Sequence, residues 1–216
     1  MSLYKTYAVF GLGRYGRAVA KELVDSGADV LAVDLDINAV NLAAKDIPIC
    51  KCADITNAET LNQLGIKNID VVIIAMANSL EASVMATMLC KEAGVKTVIV
   101  KCSNETHGKI FEKVGADKVV QPENESGVRL AKNLLSSGFV DLVELTNDVS
   151  MVELNVKTAW IGKTLKELDL RKKYSLNVVA IGQNGKISVN IEPDMPLTED
   201  MRLIVIANTA QLSKLK

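Results

Sequence analysis

The sequence is poor in histidine and cysteine, two residue types that often bind metals or act in catalysis. It has one histidine, His107, and four cysteines in 216 residues. Cys50 and Cys52 are separated by a single residue, a spacing that fits neither a zinc site nor a CxxC redox pair. We therefore expect packing or a loop hydrogen bond for His107, and reduced, buried thiols for Cys50, Cys52, Cys90 and Cys102.

Neither charge sign is in excess, and long apolar runs are missing. The chain has 25 basic and 26 acidic residues and a formal net charge of -1. This balance gives no electrostatic reason to expect nucleic acid or an anionic membrane surface as a partner. The longest apolar stretch, 71–77, is far too short to span a bilayer, and no signal-peptide pattern precedes the first predicted strand. We therefore expect a cytoplasmic protein.

A recognisable catalytic set is also missing. None of the four tyrosines is followed four residues later by lysine, so the Tyr-x-x-x-Lys pair of short-chain dehydrogenases is absent from the sequence. No Ser/His/Asp or Cys/His combination falls at the predicted strand ends. These absences predict that the chain is not an enzyme.

What the sequence does contain is a glycine-rich turn between a predicted strand and a predicted helix. The apolar run 7–10 is followed by GLGRYG, and residues 17–23 have helical spacing. Gly11 permits the turn, Gly13 lets a phosphate approach the backbone, and Gly16 lets the helix pack closely on its strand. The free N–H groups at the start of the helix then face an anion. The pattern predicts a nucleotide site.

An acidic residue follows at the spacing that this prediction requires. Asp34 ends a second apolar run, 30–33, and lies eighteen residues after Gly16. A carboxylate at this place accepts hydrogen bonds from both ribose hydroxyls. Because it would repel a 2′-phosphate, NADP is disfavoured, while NAD, ATP and ADP remain open.

The alternation of strands and helices predicts an α/β fold with a Rossmann-like, doubly wound parallel sheet. Six strands fit into residues 1 to about 121, with Thr56 and Asn78 as predicted helix caps, and a crossover helix follows over 123–137. The tail is β-rich, with an Asn184-Gly185 hairpin signal, and predicts a small α+β domain. The predicted domains are 1–138 and 139–216, and the second is small enough that we expect it to dimerise.

Ligands of doubly wound sheets bind beyond the carboxyl ends of the strands, where the strand order reverses. Asp54 and Ile55 are expected to flank an adenine ring, although Asp54 also fits a loop carboxylate. Arg14 suits a phosphate contact or solvent, and Tyr15 suits nucleotide cover or an interface. Glu123 suits either a helix N-terminus or a divalent cation. The candidate nucleotide-binding residues are Gly11, Leu12, Gly13, Arg14, Tyr15, Gly16, Asp34, Asp36, Asp54, Ile55, Ala75, Met76, Asn78, Lys101 and Glu123.

These motifs together resemble the RCK (TrkA-type) regulators of potassium transport, most closely the cytosolic KtrA/KtrC type of subunit. The likeness covers nearly the whole chain in the same order. The segments that carry it are 11–16, 34–36, 53–56, 115–117, 119–123 and 165–171.

The resemblance implies dimers that assemble into an octameric ring beneath a KtrB- or KtrD-like membrane potassium transporter. In this family ATP and ADP favour different ring shapes, which implies that Arg14 contacts the terminal phosphates and that Glu123 holds Mg²⁺ or Ca²⁺. Family C-terminal domains also bind cyclic di-AMP. The positions similar to those used there are Leu170, Arg171, Asn177 and Pro193, with Leu176 where some members carry a polar residue.

Two other functions remain open from the sequence. An NAD(H)-binding redox-sensing regulator would use the same glycine turn and the same acid. An NAD-dependent oxidoreductase would need a catalytic acid or base in the tail, and none is identifiable there.

Overall fold

The chain divides into two compact units, Met1–Glu123 and Asn124–Lys216, in a computed structural model. The structure describes residues 5–76, 79–135, 139–146 and 148–212. Within these ranges, no helix has both the length and the apolar character needed to cross a lipid bilayer.

The first unit is built on a six-stranded sheet in the order β3-β2-β1-β4-β5-β6, with every pair of neighbours parallel. The order reverses between β1 and β4, so the carboxyl ends of these strands form the crevice in which ligands of such sheets bind. The predicted doubly wound fold is confirmed. The strands are β1 Thr6–Phe10, β2 Asp29–Asp34, β3 Ile49–Cys52, β4 Val71–Ile74, β5 Thr97–Lys101 and β6 Lys118–Val120. The helices are α1 Arg14–Asp25, α2 Ile37–Ala43, α3 Ala58–Gln63, α4 Leu80–Glu92 and α5 Glu105–Val114. A further helix, α6 Pro122–Leu135, starts in this unit and belongs mostly to the second.

Both faces of this sheet are buried, which explains the near-continuous apolar runs of its central strands. Successive side chains point to opposite faces, so Phe10 and Ile74 pack in one core while Val9 and Ile73 pack in the other. All four residues of β4 are buried. A strand covered by helices on both sides shows no polar alternation.

Helices α3 and α4 are each capped by the residue that follows the predicted cap. Thr56 does not cap α3, because its hydroxyl and its amide both donate to Asp54 Oδ1, at 2.7 and 2.9 Å. Asn57 caps this helix instead, accepting from the amides of Glu59 and Thr60. Helix α4 is capped by Ser79, and the predicted cap Asn78 lies outside the described residues.

The second unit contains an antiparallel sheet in the order β10-β9-β11-β8-β7, with short helices packed on it. This confirms the predicted small α+β fold. Strand β7 was not predicted from the sequence. The strands are β7 Phe139–Glu144, β8 Val149–Asn155, β9 Asn177–Gln183, β10 Lys186–Ser188 and β11 Arg202–Asn208, and the helices are α7 Leu165–Leu168, α8 Leu170–Tyr174 and α9 Thr209–Leu212.

The predicted hairpin in this sheet is confirmed, with Asn184 and Gly185 as its turn. Gln183 pairs directly with Lys186, which leaves a two-residue loop. Asn184 and Gly185 both have positive φ, 53° and 73°, as a type I′ turn requires.

The four cysteines are free, but they differ in exposure. Cys90 and Cys102 are buried as predicted, and burial raises the pKa of the Cys90 thiol to about 12. The prediction of burial was wrong for Cys52, which is exposed on the edge strand β3, where only one side of the strand has a neighbour.

Asp70, the residue before β4, forms hydrogen bonds with residues at the starts of β1 and β5. These bonds predict that the fold is sensitive to acid. Asp70 accepts hydrogen bonds from the Thr6 amide at 3.1 Å and from Lys96 Nζ at 2.8 Å. The Lys96 hydrogen bond, followed by the Thr6 amide, lowers the pKa of Asp70 to about 2 from 3.8. Because the folded-state pKa is lowered, this stabilisation is present above pH 3.8 and is lost as the pH falls towards 2.

We expect Asp70→Asn to flatten the pH dependence of the free energy of unfolding over that window. Urea denaturation between pH 2 and 5 measures it. Asp25→Asn, which removes an exposed carboxylate from the surface of α1, is the matched control and should flatten the slope less. Equal slopes for the Asp70 variant and the unsubstituted chain would contradict the assignment.

Candidate functional site

The glycine turn joins β1 to α1 at the point where the strand order reverses. Gly11 has φ +91° and donates its amide to the Val33 carbonyl at 2.9 Å, which fixes the turn against β2. A Cβ on Gly11 would lie 2.6 Å from Met76 Cγ, and one on Gly16 would lie 1.9 Å from the Gly11 carbonyl oxygen. Close packing of the turn therefore accounts for both glycines.

Gly13 is different, because packing does not explain it. It has an ordinary φ of -63°, caps α1 without a side-chain hydrogen bond, and is exposed. A Cβ built on it would meet no other atom of the described residues within 4 Å. As the N-cap of α1, Gly13 directly precedes the first amides of the helix, which have no partner within the helix and attract an anion.

Asp34 fastens the glycine turn to the end of β2. Its Oδ2 accepts from the Leu12 amide at 2.6 Å, and its Oδ1 accepts from the Asp36 amide at 2.8 Å. A carboxylate offers about four lone-pair sites, so each oxygen keeps capacity for a ribose hydroxyl. Asp36 has a structural task as well: its Oδ1 accepts from the Asn38 amide at 2.8 Å and caps α2.

The two residues expected to flank an adenine ring differ in their environment. Asp54 is exposed, and its pKa is lowered by the hydrogen bonds from the Thr56 hydroxyl and amide. Ile55 is only 5% exposed and packs in the core, so little of its side chain is left to cover a base.

Leu35 is an apolar candidate to which the sequence analysis assigns no role. It directly follows Asp34 and is 70% exposed. Its carbonyl oxygen accepts a weak hydrogen bond from Cys52 Sγ at 3.3 Å, which links the ends of β2 and β3. Its place one residue after Asp34, the acid that is predicted to bind ribose, is the signal that could have identified it.

The segment after β4 supports the turn from the other side. Ala75 donates its amide to the Phe10 carbonyl at 2.7 Å, and the Met76 side chain packs over Gly11. Asn78, predicted to join them at the site, lies outside the described residues.

A cluster of Tyr15, Lys101 and Glu123 lies at the carboxyl ends of β5 and β6. Lys101 Nζ is 2.6 Å from Glu123 Oε1 and 5.4 Å from the centre of the Tyr15 ring. The Lys101 side chain is 11% exposed, while that of Glu123 is 73% exposed. The pKa of Glu123 is lowered, chiefly by the hydrogen bond from Lys101, with a smaller contribution from the charge of Arg14.

The donor set at Glu123 fits a cation that is bound by the protein through one carboxylate. An ammonium group already lies at hydrogen-bond distance from this carboxylate, so the place suits positive charge. Within the described ranges, no three His, Cys, Asp or Glu residues are grouped as metal ligands. A divalent cation here would therefore take its other ligands from phosphate or water.

His107 lies outside this cluster. Its Nδ1 is 3.2 Å from the Ser103 hydroxyl, and its amide donates to Asn104 Oδ1 at 2.9 Å. The predicted loop hydrogen bond is confirmed.

The second unit has its own cavity of about 490 Å³. All four residues predicted from the resemblance to bind cyclic di-AMP, Leu170, Arg171, Asn177 and Pro193, line it. Lys166 and Asp169 add charge of both signs to the wall, and the fully buried Leu176 closes its apolar side.

Two family models match the chain. The TrkA-N domain matches residues 7–122, and the TrkA-C domain matches residues 149–216.

Characterised relatives match over nearly the full length of the chain. It is 37% identical over 210 residues to Ktr system potassium uptake protein C of Bacillus subtilis, covering 97% of this chain and 95% of that protein. It is also 37% identical over 202 residues to Ktr system potassium uptake protein A of Vibrio alginolyticus, covering 94% and 91%. These relatives are named as potassium uptake proteins, which confirms both the predicted family and the prediction of a non-enzymatic subunit.

Solved structures share the fold. The crystal structure of the GsuK RCK domain has a TM-score of 0.69 at 18% identity, covering 99% of this chain and 47% of that one. The GsuK channel has a TM-score of 0.70 at 17% identity, covering 99% and 39%. The chain thus spans about half or less of these structures.

Proposed function

Because the chain belongs to the TrkA-type (RCK) family of potassium uptake subunits, we propose that it senses adenine nucleotides and passes this signal to a membrane potassium transporter. Residues 1–138 form the nucleotide-binding domain in this proposal, and residues 139–216 form the domain for dimerisation and a second ligand. The chain acts at the cytoplasmic side of the membrane.

The observation that carries the proposal is the open space in front of Gly13. Packing accounts for Gly11 and Gly16, but no described atom within 4 Å requires glycine at position 13. A phosphate in contact with the helix amides would explain the glycine, because it would need the space that a side chain would occupy. Asp34 is joined to the same turn through the Leu12 amide, which is where a ribose diol attached to that phosphate would lie.

ATP and ADP differ by one phosphate, and in the proposal this difference supplies the signal. A ligand shifts an equilibrium between two conformations only by its difference in affinity for them. Arg14 is exposed in the first turn of α1 and would contact the γ-phosphate of ATP, which ADP lacks. A divalent cation, Mg²⁺ or Ca²⁺, would bind Glu123 and neutralise charge between its carboxylate and the phosphates.

An oligomeric assembly transmits the change of conformation to the transporter. In the proposal the chains form dimers and then an octameric ring, which bears on a KtrB- or KtrD-like membrane subunit. ATP and ADP stabilise different ring geometries, and the transporter opens with one of them.

The cavity of the second unit supports a second ligand. Its volume of about 490 Å³ and its mixture of an arginine, an amide side chain and apolar walls suit a nucleotide, and we propose cyclic di-AMP.

An NADH-sensing regulator is the main rival. The solved structure named "GsuK channel bound to NAD" has the same fold, with a TM-score of 0.66 at 17% identity. Asp34 would accept hydrogen bonds from the adenosine ribose of NADH equally well. A comparison of the affinities for the different nucleotides is therefore needed to separate the two functions.

Isothermal titration calorimetry with ATP, ADP, NAD, NADH and cyclic di-AMP tests the proposal. We expect ATP and ADP to bind more tightly than NAD or NADH, and Gly13→Ala to weaken both adenylates by tenfold or more. Since the substituted Cβ meets only open space, the fold should be retained, and the binding of cyclic di-AMP to the second unit serves as the internal control. A Gly13→Ala chain that binds ATP normally, or preferential binding of NADH, would contradict the proposal.

A further inference from the structure

The ion pair between Lys101 and Glu123 is unequal in its exposure. The Lys101 side chain is 11% exposed and ends at the carboxyl end of β5, while 73% of the Glu123 side chain faces solvent. A charge that is largely removed from water needs a partner, whereas an exposed carboxylate is solvated by itself. Lys101 therefore depends on the pair more than Glu123 does.

Tyr15 keeps the ammonium close to the glycine turn. Its ring centre lies 5.4 Å from Lys101 Nζ, within the range of a cation–π contact. Tyr15 belongs to the first turn of α1, next to Arg14. The ammonium is thus close both to Glu123 and to the first turn of α1, whose free amides attract an anion such as a phosphate.

The position of Lys101 Nζ is also where a divalent cation would compete for Glu123. Both are attracted to the same carboxylate, and Nζ is only 2.6 Å from its Oε1, so a cation bound to Glu123 would lie close to the ammonium and repel it. When a divalent cation binds this carboxylate, the ammonium loses its partner while still largely buried. A phosphate at the glycine turn is the nearest replacement in the proposed complex.

We propose that Lys101 is a resident counter-ion that exchanges partners. It pairs with Glu123 when the site holds no nucleotide, and with a phosphate oxygen when a divalent cation binds Glu123. The inference rests on the proposed nucleotide site and gives Lys101 a specific task in it: it makes cation binding depend on nucleotide binding.

This exchange predicts the sign of the coupling between the two ligands. Without nucleotide, a cation must leave the buried ammonium unpaired, so it binds weakly. With nucleotide bound, the ammonium moves to phosphate and the penalty disappears. By thermodynamic reciprocity, the cation must then tighten nucleotide binding by the same factor.

The test compares two dissociation constants for ATP, one in EDTA and one with saturating Mn²⁺. We expect the ratio of the constant in EDTA to the constant in Mn²⁺ to fall about fivefold or more in Lys101→Met, because the exchange of partners is lost. Lys96→Met is the matched control: it removes a lysine at the opposite end of β5, paired with Asp70, and should leave the ratio unchanged. The affinity of ATP for Mn²⁺ in solution is the same for every variant and cancels from the comparison.

A second readout needs no nucleotide. Mn²⁺ binding to the nucleotide-free chain, measured by electron paramagnetic resonance, should be tighter in Lys101→Met than in the unsubstituted chain, because Glu123 is no longer occupied. A lysine that only contacts phosphate, or only supports the fold, would not produce this gain. Glu123→Gln should lose the Mn²⁺ effect on ATP binding while binding ATP in EDTA at least as tightly as before.

The possible failures are distinguishable. If the unsubstituted chain binds ATP with or without Mn²⁺ and the Lys101→Met ratio is unchanged, the exchange is wrong and the nucleotide site stands. If the unsubstituted chain binds no adenylate, the proposed function is wrong, and the nucleotide-free Mn²⁺ measurement still decides whether Lys101 blocks Glu123.

Discussion

Replacement of Gly16 by alanine is expected to destabilise the first unit by about 3 kcal/mol, the upper end of the usual cost of overpacking. The added Cβ would lie 1.9 Å from the Gly11 carbonyl oxygen and 3.2 Å from Ala75 Cβ. The first of these neighbours cannot move away easily. Gly11 is held by its hydrogen bond to Val33 and by the packing of Met76 above it, and its own φ of +91° leaves few alternatives.

Urea denaturation followed by far-ultraviolet circular dichroism measures this loss. Gly13→Ala is the matched control. It makes the same chemical change three positions before Gly16, but the added Cβ would meet only open space. Its cost should stay within about 1 kcal/mol, the scale of a helix N-cap substitution. Similar losses for the two variants would mean that α1 does not pack on the turn as closely as the structure has it.

Reversal of charge at Arg14 is expected to abolish the preference of the chain for ATP over ADP. A charge-assisted hydrogen bond contributes about 1.5–3 kcal/mol, so the Arg14→Glu chain should lose roughly ten- to a hundredfold in ATP affinity relative to ADP. Adenosine binding should change little, because in the proposed complex the ribose and base would contact the other end of the site, at Asp34 and Leu35. Calorimetric titration with ATP, ADP and adenosine measures the three affinities.

Lys21→Glu is the control for this experiment. It reverses an exposed charge on the same helix, at a residue that pairs with Asp25 away from the glycine turn. A general electrostatic effect would appear in both variants, whereas a specific phosphate contact appears only at Arg14. An unchanged ratio of ATP to ADP affinity in Arg14→Glu would rule out the contact.

The fold could be predicted from the sequence because its main signals are local. The apolar run of β4 indicates burial on both faces, and Asn184-Gly185 specifies a two-residue hairpin by its backbone preferences. The predicted cap of α3, Thr56, was one residue too early. The Thr56 hydroxyl donates to Asp54, and Asn57 caps the helix instead. Residue types at a helix start indicate a cap more reliably than they identify its position.

The candidate site was predictable only in part, for a related reason. Spacing alone brings the glycine turn and Asp34 together, since the turn follows β1 and Asp34 ends the adjacent strand β2. The pairing of Lys101 with Glu123 joins residues 22 positions apart on different elements, and no local pattern indicates it. The burial of Ile55 and the exposure of Leu35 are likewise set by tertiary packing, which a single apolar residue in a loop does not reveal.

The central claim is that the chain binds an adenine nucleotide in order to change conformation and leaves the nucleotide intact. Small-angle X-ray scattering with ATP and with ADP, followed by chromatography of the nucleotide recovered from the same samples, tests it most directly. We expect two different scattering profiles and full recovery of each nucleotide unchanged. Identical profiles at saturating ATP and ADP, or conversion of the bound nucleotide by the chain, would contradict it.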